Sequence, residues 1–207
     1  MTGDLSDRAA IDRAMTGIHT LIHLAATPDD ADFLSELLPN NLAGLYQVMD
    51  SARLAGVRRV VLASSGQMNW WQQLRGPWPV NATHPITPRY WYAATKAFME
   101  AIGYGFSQSH PISVVVVRLG WCPRTPGQAD EIEAAEWAKD VYLSPGDAGR
   151  FFADCVEAPE SLSHALVNVA SRPYARARVD LNPARELLGY VPQDVWPAGI
   201  EVIRRGD

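Results

Sequence analysis

Four short, nearly unbroken apolar runs constrain this chain more than any other feature. They are Ile18–Ala25, Arg59–Ser64, Ile112–Leu119 and, more weakly, His164–Ala170. Each is rich in Val, Ile, Leu or Ala, and none alternates cleanly with polar residues. Strands of that kind are buried on both faces, the habit of parallel sheets in α/β proteins. Helical spacing fills the intervals: 6–15, 41–55, 92–107, 147–158 and a short 182–188, with Gly56 placed to stop the second. Asp147 reads as the N-cap of the fourth. Alternation of helix and strand predicts a doubly wound parallel sheet built from right-handed crossovers.

Composition narrows the class further. The chain has 207 residues, 47% hydrophobic and 20% charged, enough for a globular core without disulfide or metal. A formal charge of −5 argues against nucleic acid or an anionic membrane as principal partner. No apolar run approaches the roughly 18 residues of a bilayer span. The polar amino terminus and only two cysteines, Cys122 and Cys155, lead us to expect reduced thiols in the cytoplasm. No Cys/His spacing suggests a metal site, and His19 and His23 read as packed strand residues.

One stretch, 70–88, breaks the alternation with three Trp and four Pro. It follows a strand's carboxyl end, where open α/β sheets bind ligands, and is read as a wall of a substrate pocket or as a plug on the sheet edge.

The sharpest chemical signal is Tyr92-x-x-x-Lys96. Four residues apart at a helix start, the two side chains share a face, and a cation beside a phenol favours the phenolate. The chain has seven Tyr and two Lys, so chance supplies about 0.07 such pairs. Ser64 and Ser65 close the second apolar run, where a hydroxyl could orient a substrate oxygen beside the phenol.

With these residues in view the chain resembles the extended short-chain dehydrogenase/reductase superfamily, in its NAD-dependent epimerase/dehydratase group. The likeness rests on residues 3–7, 23–26, 40–46, 60–65, Tyr92 with Lys96, and the ending 180–192. Residues 3–7, 44–46 and 118–123 make it most like uronate dehydrogenases. The resemblance implies a Rossmann-type fold and NAD(P)-linked oxidation or epimerisation at a sugar-like hydroxyl. It assigns Tyr92, Lys96 and Ser65 to catalysis, with Lys96 lowering the Tyr92 pKa. It assigns Asp4, Leu5, Leu24, Ala25, Ala26 and Asn40, together with Tyr92 and Lys96, to the dinucleotide. Ser65, Gln67 and Arg124 face substrate, and helix-pair homodimers are common in the group.

The chain departs from that pattern in lacking the opening strand, glycine-rich turn and helix, roughly 50 residues by the size of such a unit. It is therefore expected to be truncated at its amino end relative to the family and to bind NAD or NADP weakly, with no residue to choose between them. Met1 as the true start, and a catalytically silent remnant serving as a binding or oligomerisation module, stay open as alternatives. The acidic segment 128–136 contains no Arg to grip a carboxylate, and a basic loop of Arg172, Arg176 and Arg178 is a second-rank phosphate candidate.

Overall fold

The computed structural model describes residues 3–205. In chain order they form α1 (Arg8–Met15), β1 (Thr20–His23), a wide helical stretch Phe33–Ala43 running into α2 (Gly44–Ala55), and β2 (Arg59–Ser65). A short turn of helix then leads to α3 (Trp70–Arg75), α4 (Trp91–Ser109) and β3 (Ser113–Leu119). The remainder is α5 (Pro126–Ala134), α6 (Glu136–Lys139), α7 (Pro145–Glu157), β4 (His164–Val169), α8 (Asn182–Leu188) and α9 (Ile200–Arg205).

The four strands are parallel in the order β1-β2-β3-β4, with β1 at one edge. Alternate residues serve opposite layers. Val60, Leu62, Val114 and Val116 pack with Ile11, Leu45, Met49 and Met99 from α1, α2 and α4. Val61, Val115, Val117 and Val167 pack with Phe151, Cys155, Ala184 and Leu188 from α7 and α8. Burial on both faces is why the strand sequences read as continuous apolar runs. Gly103 lets α4 lie close to the sheet: a Cβ there would meet Val116 at 3.0 Å and Leu62 at 3.1 Å.

Two expectations are corrected. The strands step one way across the sheet, yet α2 and α4 cover one face and α7 the other. The third connection is thus opposite in hand to the first two; its chain first runs out through α5 and α6, so it is no compact strand–helix–strand unit. The N-cap of α7 is Ser144, followed by Pro145, rather than Asp147. Asp147 instead lies fully buried inside the first turn and accepts the backbone N–H groups of Gln193 and Asp194 at 2.8 and 3.0 Å, which fastens the C-terminal segment.

Candidate active site

Beyond the carboxyl ends of β2, β3 and β4 lies a cavity of about 400 Å³. Its lining includes Ser65, Gln67, Tyr92 and Arg124, four of the residues selected from sequence. Open parallel sheets put ligands there because the strand ends and following loops diverge at that edge.

Tyr92 lies in the first turn of α4, and its phenol is largely buried. Burial raises its pKa, the Ser65 hydroxyl and the Arg124 charge oppose that rise, and Asp29 adds to it. The expected lowering of the phenol by Lys96 is therefore not what the structure gives. The Lys96 ammonium sits 5.5 Å from the Tyr92 ring centroid and donates to the Ala63 carbonyl at 2.8 Å. It is itself pushed down to about 8 by burial. Desolvation opposes charge on both groups and is the leading influence on each.

Lys96 lies behind the cavity, toward the exit of β1. Its positive charge, after burial, helps depress His23 to about 4. Directly after His23 come Leu24, more than half exposed, and the small residues Ala25 and Ala26. A buried ammonium has three donors, and Lys96 spends one on a described residue. Two unspent donors beside a shelf of small and apolar side chains fit the ribose and flat ring of a nicotinamide riboside. Among the described residues no glycine-rich turn forms a pyrophosphate cradle.

The remaining predicted residues make contacts within the fold. Asn40 donates to the Thr27 hydroxyl at 2.7 Å, and Leu5 packs against Gly44. Asp4 is exposed and accepts the Ser6 backbone N–H and hydroxyl at 2.8 and 2.6 Å. Arg124 is paired with Asp29 across the cavity mouth. Within the basic loop, Arg178 pairs with buried Asp140 at 3.1 Å, and Arg176 and Arg178 both cover Trp78. Of the three Trp in 70–75 and its following loop, Trp70 alone lines the cavity.

Several participants escaped sequence reasoning. Glu100 receives both sides of the Arg118 guanidinium at 2.8 Å, and the Ser64 hydroxyl donates to it at 2.7 Å. Arg118 also donates to Asn69. This buried set ties α4, which carries Tyr92 and Lys96, to the end of β2, which carries Ser65. Two signals were present: Glu100 follows Lys96 by four residues, and a charged residue inside an apolar strand requires a buried partner. Asn41, next to the residue chosen, is the buried one; it holds Thr27 and the Thr95 hydroxyl, each at 3.1 Å.

These observations define a doubly wound α/β sheet with a serine, a tyrosine and a lysine gathered at its carboxyl edge. The chain belongs to the NAD dependent epimerase/dehydratase family, whose model matches residues 1–121. It is 31% identical over 201 residues to the NAD-dependent glucose-6-phosphate dehydrogenase of Haloferax volcanii, covering 92% of this chain and 74% of that one. It is 27% identical over 205 residues to the L-arabinose 1-dehydrogenase (NAD(P)(+)) of the same organism, covering 92% and 80%. Among solved structures, glucuronic acid dehydrogenase from Chromohalobacter salexigens superposes with a TM-score of 0.79 at 25% identity, over all of this chain and 73% of that one.

Proposed function

We propose that this chain is an NAD(P)-dependent oxidoreductase or epimerase that acts on a hydroxyl of a sugar-like small molecule. The carrying observation is the Tyr92 phenol at the cavity wall, with Ser65 beside it and the Lys96 ammonium behind it. Bound NAD or NADP supplies the hydride acceptor when an alcohol is oxidised. Ser65 donates to or accepts from the substrate oxygen and fixes its distance from the phenol. Tyr92, ionised, takes the hydroxyl proton; un-ionised, it returns a proton to a carbonyl oxygen in the reverse direction. Lys96 would hold the ribose with its free donors and would stabilise negative charge developing nearby. Because burial raises the phenol, oxidation accelerates as pH rises above neutrality.

The same reading takes residues 1–207 as one Rossmann-like unit with a short C-terminal extension on the substrate side. It places the protein in the cytoplasm, where Cys122 and Cys155 stay reduced. It also pairs two copies through α2 and α4, whose outer faces expose Tyr46, Leu54, Trp91 and Phe98. Sedimentation velocity at micromolar concentration tests that pairing, and a monomer throughout would remove it.

The functional test follows nicotinamide absorbance with sugars and either dinucleotide, comparing wild type with Tyr92→Phe and Ser65→Ala. Turnover is expected to vanish in Tyr92→Phe while dinucleotide binding, measured by calorimetry, persists. Undiminished turnover in that variant would refute the assignment.

A further inference from the structure

We infer that the cavity selects a neutral sugar, held by an aromatic wall, and disfavours both sugar phosphates and sugar acids. The inference rests on the proposed function and names the substrate class of that same site.

Three indoles form the wall. Trp70 comes from α3, Trp121 from the turn after β3, and Trp137 from α6, and all three line the cavity. The Trp70 and Trp137 rings lie 5.4 Å apart at 81°, and those of Trp121 and Trp137 5.9 Å apart at 36°. Each is half-buried, so ring surface remains for a ligand. The electron-rich face of an indole suits the polarised C–H face of a sugar ring, whose hydroxyls point outward to other partners. Neutral amides share the lining. The Gln67 side chain makes no hydrogen bond to another described residue, and Gln128 uses only its carbonyl, on the Arg124 N–H. Amides of this kind satisfy hydroxyls in either direction.

Charge supplies the discrimination. An anionic sugar needs an uncommitted cation, and the lining offers two arginines. Arg118 is held on both sides by Glu100, with the pair almost fully buried, and Arg124 is held by Asp29. Arg89 stacks on Trp70 and Tyr90 at 4.9 and 4.4 Å and is not part of the lining. The remaining carboxylate of the lining, Glu131, has no ionic partner among the described residues. A phosphate or carboxylate entering here would meet that charge and would compete with Asp29 for Arg124, while Arg118 is closed off by Glu100.

The experiment measures kcat/KM for arabinose, glucose 6-phosphate and glucuronate with NAD and with NADP, alongside quenching of tryptophan fluorescence by each sugar. The neutral sugar is expected to exceed both anions by about tenfold or more in kcat/KM. Glu131→Lys, which supplies a cation, is expected to raise the anion-to-neutral ratio about tenfold. Trp137→Leu is expected to raise KM for the neutral sugar about tenfold with a smaller change in kcat, and Trp137→Phe to restore most of the loss. Equal or better use of either anion overturns the inference. Should no sugar turn over, the proposed function fails and the fluorescence titration decides: quenching by arabinose alone sustains the inference, and quenching by an anion or by none overturns it.

Discussion

Replacing Glu100 by Gln keeps the shape of the side chain and removes its charge, leaving the Arg118 guanidinium, 2% exposed, without a counter-ion. Breaking a buried pair by removing one partner costs about 3–5 kcal/mol. A Gln carbonyl still accepts from Arg118 or Ser64 and retains about 1 kcal/mol of that. The net expectation is about 3 kcal/mol. With a urea m-value of about 2.5 kcal/mol/M for a chain of this size, the unfolding midpoint should fall by about 1.2 M. Replacing both partners, Glu100→Leu with Arg118→Met, removes charge and counter-charge together and should recover to within about 1 kcal/mol of wild type. With the single variants Glu100→Leu and Arg118→Met measured as well, the double-mutant cycle isolates the pair. Because the pair clamps Ser64 and α4, Glu100→Gln should also lower kcat more than it raises KM. A midpoint shift below about 0.2 M would show that the ion pair is not what holds these elements together.

Three further expectations use the same physics. Lys96→Met relieves an ammonium that burial has lowered to about 8, so stability at neutral pH should equal or exceed wild type while turnover falls by about a hundredfold or more. Urea midpoints and initial rates check the two halves. His23, depressed to about 4, stays neutral in the fold while the unfolded chain binds a proton below the ordinary 6.5. Its contribution is complete above 6.5 and is lost as pH falls toward 4, so His23→Gln should flatten the stability–pH slope in that window. Arg59→Met removes a buried guanidinium that donates to the carbonyls of Cys155, Val156, Ala158 and Pro159 at 2.7–3.1 Å, at the end of α7. A loss of about 2–3 kcal/mol in urea unfolding is expected, and a loss under about 0.5 kcal/mol would count against the capping role.

Legibility depended on how local each determinant is. Tyr92 and Lys96 were readable because helical spacing alone puts them on one face, and scarcity of Lys made the pair unlikely to be accidental. Asp7 capping α1, with its carboxylate accepting the Ala10 N–H at 3.0 Å, was equally local. Trp121 had no reading in sequence, since its neighbours Trp70 and Trp137 are far from it along the chain and adjacent only in the fold. Arg172, Arg176 and Arg178 looked like a basic patch for the converse reason: Asp140 and Trp78, which absorb two of them, lie at a distance in sequence.

By itself the sequence determined the parallel sheet and the helix that bears the phenol and the amine, since apolar continuity and turn spacing are properties of neighbouring residues. Only the tertiary structure decided which charges are spent and which way the acid–base groups shift. Glu100 neutralises Arg118, Asp29 occupies Arg124, and burial rather than Lys96 governs Tyr92. Solvation and pairing are set by atoms that the fold brings together from remote positions, and no spacing rule along one chain contains them.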